Sequence, residues 1–311
     1  MKKIISIILV TALMLCLCAC GKPTVEAPEN SLKIVCTAFP QYDFVKNIIG
    51  TDEGVILLTD DGGDLHSFEP TAQDIITIST ADLFIYVGGT SDEWVEGVLA
   101  SANNPDLKTI ALMDLVETYD EEYVSGMEKH EDGDHGVKDE HVWLSLGNAG
   151  VIVQYVCDAI CEIDNTNEAT YRSNAGKFIA ETITLDMEYR LALGDTKRNV
   201  LLFADRFPFR YLTEAYSLEY YAAFAGCSSE SEASFNTVAF LIDKTQELSL
   251  PVVLTIDGSD GSLAKTVCES TGAKTAVLDS CQSVSMEDIN NGTTYLGIMR
   301  NNLEVIQEAL N

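Results

Sequence analysis

From residue 32 onward, short apolar runs of strand length alternate with stretches of helical spacing, and this alternation most constrains the fold. Residues 33–37 (KIVCT), 55–59, 82–88 (DLFIYVG) and 107–112 read as strands. Helical patterns at 41–50, 70–80 and 91–100 separate them, the second opening on Pro70, a favoured residue at a helix start. Strands that alternate with helices form a parallel sheet. Residues 117–140 break the rhythm with an acidic, glycine-containing loop. A helix over 149–163 follows. The spacing then predicts one long helix over 166–194, with Tyr171, Ala175, Phe178, Ile179, Ile183, Met187 and Leu191 as its apolar positions. The strand–helix rhythm resumes with strands at 200–204, 220–224, 252–256 and 274–278, helices at 208–216, 234–248 and 262–271, and a terminal helix over 286–310. The fold class is therefore α/β, with two lobes, each a mainly parallel sheet with flanking helices, joined by a long rigid linker helix. Expected boundaries are 32–165 for the N-terminal lobe, 166–194 for the linker and 195–311 for the C-terminal lobe. The carboxyl ends of the strands face a cleft between the lobes, where open α/β sheets bind ligands.

The first 19 residues read as a signal peptide, with Lys2 and Lys3 before an apolar run from Ile4 to Leu17. The sequence Leu17-Cys18-Ala19-Cys20 resembles a bacterial lipobox, which implies cleavage before Cys20 and a lipid on its sulfur. Residues 20–31, polar with two prolines, suit a lipid-anchored tether. The expected location is the extracytoplasmic face of a cell membrane, or the periplasm. The formal charge is −30; removing Met1 to Ala19, which carry two lysines and no acids, takes it to −32. Such a chain is repelled by nucleic acid and anionic lipid and suits a cationic ligand. Beyond Cys20 lie Cys36, Cys157, Cys161, Cys227, Cys268 and Cys281. In an oxidising compartment an even set can form disulfides, in a pairing the sequence leaves open, and the four-residue spacing of Cys157 and Cys161 also occurs in buried free thiols.

Two features point to metal chemistry. His66 lies in DLHSFEPTAQD, after an acidic, glycine-rich turn, and His141 lies in DEHVWLSL, before a helix. In the second lobe, Asp205 follows the first strand and Asp279 the last. Imidazole and carboxylate together are a ligand set for zinc, manganese or iron. The loop KHEDGDHGVKDEH adds His130 and His135.

HSFEPTAQDI and DEHVWLSL make the chain similar to the metal-binding lipoproteins of bacterial zinc and manganese ABC importers, over residue 33 to the C-terminus. The second stretch carries Glu140 where the family has proline. The resemblance implies ligand roles for His66, His141 and Asp279, a monomer, and delivery to a membrane ABC permease. Its third ligand position falls on Ala204, which cannot bind metal, so Asp205 is the expected substitute, the alternatives being a water or a residue of the acidic loop. His130 and His135 then form a metal-gathering loop, which favours Zn2+ over Mn2+. No nucleophile motif is visible, and a binding protein rather than an enzyme is expected. The alternatives are a metal-dependent hydrolase using the same cleft, or a lipoprotein that binds a non-metal solute or acts as an adhesin.

Overall fold

The computed structural model describes residues 32–128, 136–228 and 232–311, and residues 32–311 form one compact unit. The signal, Cys20 and its tether, and His130 and His135 lie outside the described residues. Two four-stranded, wholly parallel sheets make up the framework. The first has the order β2-β1-β3-β4, from β1 (Ile34–Cys36), β2 (Val55–Leu57), β3 (Leu83–Tyr86) and β4 (Lys108–Ala111). The second has the order β6-β5-β7-β8, from β5 (Val200–Phe207), β6 (Glu219–Ala225), β7 (Val252–Ile256) and β8 (Lys274–Leu278).

The two-residue repeat of a strand sends alternate side chains to opposite faces. In β1 and β3, Ile34, Cys36, Leu83 and Ile85 join one large core, while Val35 and Phe84 face away, onto a smaller cluster. That cluster takes in Ile78 of α2 (Ala72–Ser79) and Val95 and Val98 of α3 (Trp94–Ser101). In β5, Leu201 and Phe203 face the large core, and Leu202 and Ala204 face a second outer cluster. The large core draws on both sheets and on α1 (Phe39–Ile49), α4 (Leu146–Ile163) and α5 (Glu168–Leu193).

The linker, α5, is 26 residues long, about 39 Å at 1.5 Å per residue. It buries Tyr171, Ala175, Phe178, Thr182, Leu185 and Tyr189. The sequence pattern chose Ile183, Met187 and Leu191 instead, and these are 57, 57 and 79 % exposed. The reason is geometric. A run spaced by four gains about 40° per step and winds out to solvent, whereas alternating steps of four and three hold one face.

The expected terminal helix is also divided, into α9 (Met286–Asn290) and α10 (Tyr295–Leu310). Gly292 stands at φ +99° between them and Thr294 caps α10 by accepting from the Gly297 N–H. The remaining helices are α6 (Arg210–Tyr216), α7 (Phe235–Glu247) and α8 (Ser262–Thr271). Of the two possibilities, the structure shows free thiols: among the described residues all six cysteines are free. Cys157 and Cys161, one turn apart on α4, touch at 4.0 Å between sulfurs without a bond.

Candidate metal centre

His66 sits in a 3-10 turn, Leu65–Ser67, beyond β2. Asp64 caps that turn: its Oδ1 accepts from the His66 N–H at 3.0 Å, and its other oxygen pairs with Arg206 of β5, across the lobes. His141 begins another 3-10 turn, Val142–Leu144, which is entirely buried. This turn is fastened to the second lobe. The Trp143 indole donates to the Ser280 carbonyl at 2.8 Å, the Tyr295 hydroxyl to the Trp143 carbonyl at 2.6 Å, and the Tyr211 hydroxyl to the Asp139 carbonyl at 2.8 Å.

The two imidazoles meet with their Nε2 atoms 3.2 Å apart. Each ring is held from its other nitrogen. His66 Nδ1 lies 2.6 Å from Ser91 Oγ, and His141 Nδ1 lies 3.1 Å from Asp139 Oδ1. With Nδ1–H donated to those oxygens, both Nε2 lone pairs face a common point, the arrangement in which an outer carboxylate or hydroxyl fixes the tautomer of a metal-binding histidine. Two nitrogens bound tetrahedrally to one zinc at about 2.0–2.1 Å stand about 3.3 Å apart. The residues therefore fit a zinc-sized ion.

Electrostatics separate the two rings. His66 is lowered to about 4 by burial, with His141 adding to the effect and Glu140 and Asp64 opposing it. Burial also works against a proton on His141, but Asp139, by charge and by hydrogen bond, outweighs it and raises that pKa. Glu140 is completely buried. Its Oε1 accepts from Thr90 Oγ1 at 2.8 Å and from the Ser91 N–H at 3.0 Å, while Oε2 has no hydrogen-bond partner and lies 3.8 Å from His66 Nδ1. Gly89, at φ +83°, makes room for this carboxylate, since a Cβ there would stand 2.5 Å from Oε1.

A third side chain joins the pair. The ligand atoms of His66, His141 and Cys227 all lie within 4.8 Å of one another, the one such group of three or more among the described residues. Cys227 follows β6; its N–H donates to Glu121 Oε1 at 2.7 Å. Burial, followed by Glu121, Asp139 and Glu140, pushes its thiol well above the ordinary range.

A family model described as "Zinc-uptake complex component A periplasmic" (ZnuA) matches residues 34–309. The chain belongs to this family. It is 30% identical over 99% of its length to the zinc-binding lipoprotein AdcA of Streptococcus pneumoniae strain R6, covering 61% of that protein. It thus spans about three fifths of that streptococcal relative. It is 29% identical to the high-affinity zinc uptake system protein ZnuA of Bacillus subtilis strain 168, covering 99% of this chain and 98% of that one. Among solved structures, the Zn(II)-bound ZnuA-like domain of S. pneumoniae AdcA superposes with a TM-score of 0.76 at 27% identity, covering 90% of this chain and 99% of that domain. The metal-dependent lipoprotein YcdH of B. subtilis gives 0.75 at 28%, covering 90% and 100%.

Two expected carboxylate ligands of this ZnuA-family chain lie outside the three-residue group. Asp205 spends its oxygens on backbone amides, accepting from Arg206 N–H at 2.9 Å and Ile256 N–H at 3.4 Å. It pairs with neither arginine: Arg206 goes to Asp64, and Arg210 to Glu122 and Glu214, both at 2.8 Å. The register of β5 against β6 shifts between Phe203 and Arg206, so Ala204 and Asp205 fall at an irregularity in the strand. Asp279 Oδ1 accepts from the Cys281 N–H at 2.7 Å; its pKa is raised to about 7 by burial and then by Asp257. Sequence reasoning missed Cys227 as a member of the site and treated it only as a disulfide candidate. The signal for it was weak: a cysteine directly after a strand, in Ala225-Gly226-Cys227-Ser228.

Proposed function

We propose that this protein is an extracytoplasmic solute-binding lipoprotein that captures one divalent zinc ion between His66 and His141 and delivers it to an ABC permease. The lipid on Cys20 holds it at the membrane, and it works as a monomer by stoichiometric binding, without turnover. The observation that carries this reading is the pair of Nε2 atoms at 3.2 Å, each imidazole tied back through Nδ1. Kinship with proteins named for zinc binding and zinc uptake supports the choice of ion and the partnership with a permease. The chain's strongly negative charge suits a cationic cargo. The test is elemental analysis of the purified protein, followed by competition titration with a chromophoric chelator for wild type, His66→Ala and His141→Ala. One tightly held zinc per chain, with strong loss of affinity in both variants, is expected. Wild-type affinity in either variant, or a chain that takes up no zinc, overturns the reading.

A further inference from the structure

We propose that the Cys227 sulfur is the third zinc ligand, so that the site is two imidazoles and one thiolate and selects thiophilic divalent ions, zinc and cadmium, over manganese. This rests on the zinc-capture reading above and narrows its substrate class.

Several observations carry it. The Cys227 sulfur and the ligand nitrogens of His66 and His141 lie within 4.8 Å of one another. A tetrahedral zinc with nitrogen at about 2.0–2.1 Å and sulfur at about 2.3 Å needs its N and S atoms about 3.5 Å apart, which a small side-chain adjustment supplies. The loop that carries the cysteine is held in place, its N–H fixed by Glu121 Oε1. In the second lobe, Asp279 lies outside the three-residue group. Asp205 is consumed by two backbone amides, and Ala204 has no ligand atom. Ala204, with Asp64, Asp205 and Arg206, instead lines a cavity of about 520 Å³. The chain thus lacks a ligand on β5 and supplies one from the loop after β6. Binding is a ligand exchange that balances: the sulfur gives its proton to solvent and an electron pair to the ion, which loses a bound water.

Thiolate and imidazole are well matched to zinc and cadmium, whereas manganese prefers carboxylate, carbonyl and water oxygen. The test uses the mature full chain loaded with Co(II) as a spectroscopic stand-in for zinc. Wild type should show sulfur-to-cobalt charge-transfer absorption in the near ultraviolet, and Cys227→Ser should lose it. Removal of an inner ligand should cost at least as much as removal of an outer-shell partner, roughly 10–100-fold in affinity. Cys227→Ser should therefore weaken zinc roughly a hundredfold and cadmium further, and should narrow the cadmium-to-manganese preference. The wild-type spectrum needs no variant, so a poorly folded Cys227→Ser leaves the test intact. A wild type that binds zinc tightly but shows no charge-transfer band overturns the thiolate ligand and leaves zinc capture standing. Unchanged zinc affinity in Cys227→Ser does the same. A wild type that binds neither zinc nor Co(II) overturns both.

Discussion

Asp139→Asn isolates what a single outer carboxylate contributes to the centre. Asp139 is 2 % exposed, and its Oδ1 sits 3.1 Å from His141 Nδ1 and 2.9 Å from the His141 N–H. The amide keeps the shape and can still accept from both groups, so the buried turn should fold as before. What it removes is the negative charge that makes the imidazole a stronger donor and fixes its tautomer. Losses for such partners are about 10–100-fold in metal affinity, or about 1.4–2.7 kcal/mol. The pH profile distinguishes this from a structural effect. In wild type the raised pKa of His141 means that protons compete with zinc from that pKa downward, while His66, lowered to about 4, stays available until then. Without the Asp139 charge, burial is opposed only by the weaker effects of Glu140 and Glu121, so proton competition should begin at lower pH. The variant should bind zinc more weakly at pH 8, and the gap to wild type should narrow on acidification. Competition titration from pH 5 to 8 measures both. Equal affinity at pH 8, or a constant gap across the range, would refute the argument that Asp139 acts through the His141 ring.

Removing residues 129–135, which include His130 and His135, should leave one tight zinc per chain, because His66, His141 and Cys227 all lie elsewhere; weaker additional binding should disappear from the isotherm. Asp92→Asn should stabilise the fold at neutral pH. The Asp92 carboxyl is 4 % exposed, with Oδ1 unpartnered, and burial raises its pKa from 3.8 to about 6. A raised carboxyl pKa costs nothing below pH 4 and its full amount above pH 6, so the gain should be up to about 3 kcal/mol at pH 8 and vanish near pH 4; denaturant midpoints at the two pH values report it. Small-angle scattering should give the same radius of gyration with and without zinc, and an increase of several Å in the metal-free protein would contradict the shared-core argument below.

The framework was legible because strand and helix periods differ, and parallel strands buried on both faces leave near-continuous apolar runs such as DLFIYVG. The meeting of His66 with His141 was anticipated because histidine is scarce in the chain and each stands in a stretch, HSFEPTAQDI or DEHVWLSL, that resembles the family's. Features that depend on phase or on distant contacts were less so. The solvent face of α5 was misread because an i, i+4 run looks like a stripe when its rotation is ignored. The split between α9 and α10 was hidden by continued apolar residues on either side of Gly292. Asp205 was expected as a ligand from its place at a strand end; of the two backbone amides its carboxylate accepts from, that of Arg206 is local and that of Ile256 is supplied only when β5 and β7 pair. Cys227 joins the histidines only when the loop after β6 meets loops of the first lobe, a contact no local pattern encodes.

The same long-range contacts decide how the ion can enter and leave. A hinge that opened the lobes would have to divide one continuous core to which both sheets contribute, with Ile34, Leu83 and Ile85 on one side and Leu201, Phe203 and Leu254 on the other. Separating such surfaces costs about 25 cal/mol for every Å² of apolar area exposed, so even a few hundred Å² would cost several kcal/mol. The His141 turn is bonded to the second lobe through Trp143 and the Asp139 carbonyl, so it would have to break those bonds as well. His66 and Cys227 differ from His141 in being partly exposed. On the zinc-capture proposal, exchange of the ion would therefore fall to local movement of the segments that carry His66 and Cys227 around a fixed His141. The Asp64–Arg206 pair is the contact most directly placed to resist it, because Asp64 caps the turn that carries His66 while its other oxygen is held by the opposite lobe.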